Sequence, residues 1–455
     1  MAGHVVVQKF GGTSVADPEA IRRLIAIANR ARATHGRGPV VVVSAMSGVT
    51  DVLLLLAQTA ADGDLATARA RLTELRERHR RALAELAPDA LSTIAPLIDS
   101  ELDRVETLLP WFADTRTVSL AALDEVGAAG ELASSRLVAA AMKTAGVPSV
   151  WIDARHVIVT DDNHTRAVPR TMETNAAVRE RLTGVLDEGG VPVMGGFVGA
   201  TAEGVTTTLG RGGSDYSGAL VGAGIDASEI QIWTDVDGLM TADPRLVANA
   251  RVVPHLSFAE AAELAYFGAK VLHPATILPA IERDIPVLIL NSRNADAPGT
   301  RITASPPPNR RPLTGLAGKR GLTVIDITSG RMLMAYGFLR RVFEVFERYR
   351  TAVDVVTTSE VSVSVTVDDT RDLDAIVAAL SEFATVSVDS GMALLCAVGD
   401  RLPGEPAIAA RAVSVLEEVP LEMISQAASR RNITVVLREV DLAKAMHRLH
   451  EEFFE

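Results

Sequence analysis

Val5-Val6-Val7-Gln8-Lys9-Phe10-Gly11-Gly12-Thr13-Ser14 is the stretch that decides the fold. Three consecutive β-branched residues suit a buried strand, and the glycine pair ends it in a turn. Asp17-Pro18 follows as an N-cap with proline in the first helical position, and Ile21, Leu24, Ile25 and Ala28 then recur on one helical face. Outward from this strand–turn–helix unit the pattern repeats. A second buried strand is predicted at 40–44 and a helix from about Asp51, with further strands at 149–152, 191–194, 231–234 and 286–291. Between 65 and about 109 the pattern changes to charged, leucine-containing helices, read as a helical insertion on one edge of the sheet. Strands alternating with helices predict an α/β layout with a mostly parallel sheet.

A length of 455 residues predicts two or three domains. Acidic residues number 57 against 45 basic, a net charge of −12 that repels phosphate backbones, so no nucleic-acid partner is expected. Hydrophobic residues at 48% supply a sizeable core and exclude general disorder. The one cysteine, Cys396, has no partner for an internal disulfide or a structural zinc, which fits a reducing cytoplasm. Apolar runs such as 52–57 stop far short of the roughly 20 residues of a membrane span. Residues 1–9 lack the charged-then-apolar layout of a secretory signal. A cytoplasmic chain with no membrane partner is the expectation.

Residues 305–312, Ser-Pro-Pro-Pro-Asn-Arg-Arg-Pro, form the clearest linker. Beyond it lies a weak internal repeat: helix 338–349, strand 353–358 and strand 361–367 run parallel to helix 408–419, strand 421–427 and strand 433–437. Two small β-α-β-β-α-β units account for this pattern. The second unit, from Gly391 onward, lacks its sixth strand, and 313–318 is the only extended stretch nearby without an assignment. The two units are therefore expected to interleave, 313–318 pairing with 391–399. The division is then 1–304, a linker at 305–312, a first unit at 321–390, and a second at 313–320 plus 391–455.

Four motifs carry chemistry. In Lys9-Phe10-Gly11-Gly12-Thr13-Ser14 the glycines let backbone amides approach an anion, and Lys9 adds a point charge for a phosphoryl group. The lysine precedes the glycines, so this is neither the usual phosphate loop nor a dinucleotide turn; a tight turn with a surface lysine is the plain reading. Thr206-Thr207-Thr208-Leu209-Gly210-Arg211-Gly212-Gly213-Ser214-Asp215-Tyr216 is harder to explain as packing. Arginine offers a carboxylate a bidentate fork and glycine amides suit phosphate oxygens, while Asp215 read plainly is an N-cap. Thr234-Asp235-Val236-Asp237-Gly238-Leu239-Met240-Thr241-Ala242-Asp243-Pro244-Arg245 ends a strand in an acidic turn suited to a ribose, with Arg245 for a phosphate, or is simply an Asx-rich turn. Phe267-Gly268-Ala269-Lys270-Val271-Leu272-His273-Pro274 adds a lysine after a glycine, as an ordinary helix end also does. His273 has no second ligand at metal-like spacing, so no metal site is expected. Glu131 and Thr50 are weaker, readable as a first-turn acid and a helix cap.

Taken in order, Lys9-Phe-Gly-Gly-Thr-Ser14, Thr207-Thr-Leu-Gly-Arg-Gly-Gly-Ser-Asp215, Trp233-Thr-Asp-Val236 and Phe267-Gly-Ala-Lys-Val-Leu-His-Pro274 resemble an aspartate kinase. The likeness runs from about Val5 to Glu455 and includes Thr357-Thr-Ser-Glu-Val-Ser362, which resembles the regulatory ACT domains of that family. It is closest to the single-function, lysine-sensitive branch, with no homoserine dehydrogenase segment following. The resemblance implies an amino-acid-kinase fold followed by two interleaved ACT-like units. It also implies transfer of the ATP γ-phosphate, with Mg²⁺, to the β-carboxylate of L-aspartate, the opening step toward lysine, threonine and methionine. By the same resemblance Lys9 stabilises the transferred phosphoryl group and Asp215 orders the site. Glu131 and Arg211 recognise the amino and carboxylate groups of aspartate, with Thr50, Gly212, Gly213 and Ser214 beside them. Phe10, Gly11, Gly12, Thr234, Asp235, Met240, Arg245, Lys270 and Val271 fall at nucleotide contacts, Met240 standing where relatives commonly carry tyrosine. Met332, Phe338, Leu339, Asp354, Ser359 and Glu360 match effector contacts, with lysine expected ahead of threonine, while Ala335 and Ala352 replace serines common in such relatives. The ACT-like pair is expected to join a homodimer or homotetramer.

Two rivals remain at this level. One is another amino-acid kinase of the same fold, such as a glutamate kinase. The other is a catalytically silent amino-acid sensor, against which the intact Lys9, Arg211 and Asp215 argue.

Overall fold

The computed structural model describes residues 5–268, 272, 274–307, 311–330, 336–400, 402, 405–426 and 430–455. The chain forms two compact units, one of Met1–Leu239, Pro254–Phe258 and Leu272–Pro306, the other of Met240–Val253, Ala259–Val271 and Pro307–Glu455.

The first unit is built on an eight-stranded sheet in the order Ser149–Ile152, Val191–Gly195, Val40–Val43, Val6–Phe10, Glu229–Thr234, Val287–Asn291, Thr300–Thr303, His255–Ser257. The first six strands are parallel, and Thr300–Thr303 runs antiparallel to Val287–Asn291. The central strands carry apolar runs because both of their faces are covered: Val40, Val41, Val42 and Val43 are all fully buried. Each such side chain contributes about 1.5–3 kcal/mol over its exposed state. The helix Pro18–His35 starts as the sequence indicates, the Asp17 carboxylate accepting from the Ala20 amide at 2.8 Å.

The charged helical stretch is longer than expected. Helices Val49–Ala61, Leu65–Leu86, Leu91–Thr115 and Leu120–Thr144 pack on one another around Leu56, Leu72, Leu83, Leu102 and Phe112, all essentially buried. Pro96 and Pro110 lie inside the third of them. Proline normally interrupts a helix, and here burial of Leu109 and Phe112 against the neighbouring helices outweighs that cost. A small sheet of Val159–Thr160, Val198–Thr201 and Thr206–Thr208 completes the unit.

The second unit holds one six-stranded antiparallel sheet ordered Val356–Thr358, Ser362–Val367, Gly315–Thr328, Thr385–Val398, Asn432–Arg438, Leu421–Gln426. The extended stretch after the linker does pair with the terminal strands: Gly315 to Lys319 face Val398 to Leu394 in register. Two 14-residue strands replace the separate short ones read from the sequence. They run on through both repeats, and their register slips between Lys319 and Val324. Gly321 and Gly391, at φ +73° each, supply the left-handed backbone that this irregularity needs.

Residues 240–253 and 259–271 cluster with the second unit, although the motif-based division groups them with the first. The reason is packing. Ala242 and Val247 share a hydrophobic cluster with Leu313, Leu449 and Phe454, and Thr241 Oγ1 bonds His450 Nε2 at 2.9 Å. No helix among the described residues is long and apolar enough to cross a membrane.

Candidate active site

Because the strands around Val6–Phe10 are parallel, their carboxyl ends share one side of the sheet. Lys9, Ser44 and Phe197 come from the ends of three of them. A cavity of about 750 Å³ opens there, lined by these residues, by Thr50 and Glu131 from two helices, and by the Gly210–Asp215 turn. Such carboxyl-end crevices are where open α/β sheets hold ligands.

The turn adopts its shape through glycine. Gly210 and Gly212 have φ of +74° and +72°, and Gly212 is the N-cap of the helix Gly213–Gly224. Asp215 therefore lies in the first helical turn and is not the cap that its position near a helix entry suggested. Its carboxylate takes the Lys9 ammonium at 2.5 Å, with both side chains almost buried. Gly218, one turn further along, leaves room for the stem of Lys9: a Cβ there would stand 3.3 Å from that of Lys9. Arg211 is exposed at the cavity, with no ion pair among the described residues.

Glu131 also departs from its plain reading. It lies in the middle of the helix Leu120–Thr144, not in a first turn, and is buried. Thr50, second residue of the helix Val49–Ala61 behind the cap Gly48, donates its hydroxyl to Glu131 Oε1 at 3.4 Å. Glu131 Oε2 is buried with no partner. Burial pushes the carboxyl up to about 8, and hydrogen bonds from the Ala45 amide and Thr50 only partly oppose this. The site thus holds a buried carboxyl with one unpartnered oxygen.

A second cleft of about 350 Å³ shares Ser44, Thr50 and Glu131 with the first and is lined further by Gly11, Gly12, Thr234 and Asp235. Gly11 donates its amide to Trp233 O at 3.0 Å, which joins the first glycine turn to the end of Glu229–Thr234. Phe10 is wholly buried and stacks on Trp233, ring centroids 6.0 Å apart, and lines neither cavity. Met240 and Arg245 belong to the second unit, where the Arg245 guanidinium is closed on Asp243 at 2.6 Å. Lys270, Val271 and His273 lie outside the described residues.

The expected effector positions fall in the second unit. Helix Phe338–Arg348 opens behind Gly337, at φ +83°, with Phe338 buried and Leu339 exposed. Asp354 lies two residues before the strand Val356–Thr358, not at its start. Its carboxylate receives Lys319 Nζ at 2.8 Å and the Tyr266 hydroxyl at 3.3 Å. Ser359 caps the following turn by bonding Ser362, and Glu360 is exposed. Met332 lies outside the described residues.

Sequence reasoning missed Ser44, Phe197, Thr165 and Asp124. The first three line the large cavity and come from ordinary-looking turns, with no motif to mark them. Asp124 had one available signal, its place seven residues before Glu131 on one helical face.

The amino acid kinase family matches residues 4–291, and an ACT domain matches residues 395–453. Aspartokinase 1 of Arabidopsis thaliana, a chloroplastic protein, is 37% identical over 468 residues that span 100% of this chain and 81% of its own. Lysine-sensitive aspartokinase 3 of Escherichia coli is 36% identical over 462 residues, 99% of each chain. The crystal structure of E. coli aspartokinase III in complex with aspartate and ADP superposes with a TM-score of 0.85 at 36% identity, over 99% of this chain and 100% of that one.

Proposed function

This chain belongs to the aspartokinases, within the amino acid kinase family, and we propose that its 750 Å³ cavity is where L-aspartate is phosphorylated. The chain is an ATP-dependent aspartate kinase. In our reading Glu131 takes the α-ammonium of aspartate and Arg211 forks its α-carboxylate, leaving the β-carboxylate to face Lys9. The observation that carries this is the convergence of one buried, half-partnered carboxyl, one unpaired guanidinium and one Asp-held lysine on a single crevice. A carboxylate is already a nucleophile at pH 7, so no strong general base is needed. Positioning and the Lys9 charge favour the migrating phosphoryl charge.

ATP is proposed to enter from the glycine-lined cleft, with Thr234 and Asp235 toward its ribose; Met240, Arg245, Lys270 and Val271 are proposed as nucleotide contacts on the family resemblance alone. Among the described residues no three His, Cys, Asp or Glu side chains converge as a metal cage. Mg²⁺ brought in with the nucleotide would supply charge neutralisation at its phosphates. The product is 4-phospho-L-aspartate, opening the route toward lysine, threonine and methionine. An ADP-release assay on L-aspartate, L-glutamate and N-acetyl-L-glutamate tests the substrate. Turnover confined to aspartate is expected, and equal or faster turnover of either longer acid would overturn the assignment.

The second unit is proposed to bind an inhibitory amino acid, lysine ahead of threonine, with Asp354 meeting its ammonium and the Phe338 helix entry its carboxylate. The relative named lysine-sensitive supports this. Its units, 321–390 and 313–320 plus 391–455, are proposed to join the homodimer or homotetramer in a cytoplasmic enzyme. Lys319 already pairs with Asp354, so an effector ammonium would share or displace that contact. Asp354→Ala should raise the half-inhibiting lysine concentration at least about 30-fold, the scale of truncating one partner of a buried charge pair. Full inhibition of that variant would place the effector elsewhere. A wild-type enzyme that neither lysine nor threonine inhibits would end the regulatory reading.

A further inference from the structure

Asp124 sits on the helix Leu120–Thr144, two turns before Glu131 and on the same face, and is wholly buried. Its carboxylate meets three groups. His164 Nδ1 stands at 2.6 Å, the Thr165 amide reaches both oxygens at 3.0 and 3.1 Å, and the Thr208 hydroxyl makes a short bond to Oδ1. Thr165 and Thr208 both line the large cavity; none of the four residues is one that the sequence assigned a role.

Thr165 is a β-branched residue with φ +68°, a conformation that persists only when its surroundings fix it. The bond from its amide to Asp124 is such a fixture. Thr208 ends the strand that feeds the Gly210–Asp215 turn, and its carbonyl accepts from the Ala167 amide at 2.9 Å. The Thr165 carbonyl lies 3.1 Å from where a Cβ on Gly210 would stand, so the two segments touch at the root of the turn. Arg211, the next residue, has no ion pair of its own among the described residues. Its aim is set by the backbone of the turn.

We propose that Asp124 is a positioning residue for aspartate recognition, holding Thr165 and Thr208 so that the turn presents Arg211 to the substrate carboxylate. The proposal rests on the reading of Arg211 as that fork. A carboxylate meets the requirement on both oxygens. Asparagine has the same shape but turns one acceptor into a donor, and the Thr165 amide, which reaches both oxygens, can only donate.

The test is steady-state kinetics of the full chain in four variants. Asp124→Asn should raise KM for aspartate about tenfold or more, while kcat stays within about threefold and KM for ATP is unmoved. Thr208→Val, which removes one donor, should act in the same direction, and Thr208→Ser, which keeps it, should bring KM back to within about threefold of wild type. Arg211→Lys, measured alongside, should raise the same KM, since an ammonium cannot reproduce the fork. A folded Asp124→Asn enzyme with wild-type KM for aspartate overturns the proposal. So does a parallel fall in kcat and loss of thermal stability with no selective change in KM, which marks a merely structural role. Should Asp124→Asn fail to fold, Thr208→Val with an unchanged KM overturns it equally. If Arg211→Lys is silent, the fork reading fails first; if Arg211→Lys acts and Asp124→Asn does not, the fork stands and only the positioning role falls.

Discussion

Lys9→Ala should cut kcat by about 10²–10³-fold, as removal of a preorganised donor to a developing charge does, with KM for L-aspartate changed far less. The lysine is not part of the aspartate fork in our reading; its charge is used as the phosphoryl group moves from ADP oxygen to carboxylate. Asp215 holds Nζ at 2.5 Å with both side chains almost buried, which fixes the ammonium before substrate arrives. Preorganisation of that kind saves reorganisation at the moment of reaction. The same pair brings a second cost to the variant, since Asp215 loses its counter-ion in a place with little water. A Lys9→Ala enzyme with unchanged kcat and only a raised KM would remove Lys9 from the chemistry.

Aspartate affinity should depend on pH through Glu131. Burial lifts this carboxyl to about 8 in the free protein, so at pH 7 it is mostly protonated. The α-ammonium pairs with the carboxylate, not with the acid, so binding expels the proton. Affinity should therefore rise about tenfold per pH unit on approaching 8 from below and level off above it. Calorimetry at pH 7 in buffers of different ionisation enthalpy should register close to one proton released per aspartate bound. Glu131→Gln keeps the shape and loses the charge: we expect affinity about 100-fold lower, the scale of a buried charge pair deprived of one member, and a flat pH profile. Proton-independent binding by the wild type, or Glu131→Gln binding within about threefold of it, would contradict the ammonium-site role.

The fold was legible where one principle acted alone. The buried strands at 6–10 and 40–43 announce themselves by β-branched runs, and Asp17-Pro18 marks a helix start with cap and proline together. The interleaved repeats were legible by counting strands, since an orphan strand in one unit has to find its sheet. Legibility ended where tertiary packing decides. Nothing local carries a helix through Pro110; the buried faces around Phe112 do. Nothing local says that Thr241 and Val247 pack against the C-terminal helix Leu442–Phe454, which takes their segment into the second unit.

The site divides in the same way. Lys9, Arg211 and Asp215 stand in or beside glycine-rich turns that the sequence shows directly. Glu131 lies within a buried, alanine-rich helix, so only the family likeness singled it out, and its elevated carboxyl follows from burial that no spacing reveals. Asp124, Thr165 and Phe197 escaped notice because their part is set by what they hold across the chain, 40 or more positions away for the Asp124 bonds.

The crevice around Lys9, Glu131, Arg211 and Asp215 is proposed to move the γ-phosphate of ATP onto the β-carboxylate of L-aspartate. Trapping the acyl phosphate with hydroxylamine tests it most directly, with wild type and Lys9→Ala run side by side on aspartate and MgATP. The wild type should form β-aspartyl hydroxamate in step with ADP, and Lys9→Ala almost none. ADP released without hydroxamate, or hydroxamate formed by Lys9→Ala at the wild-type rate, would contradict the proposal.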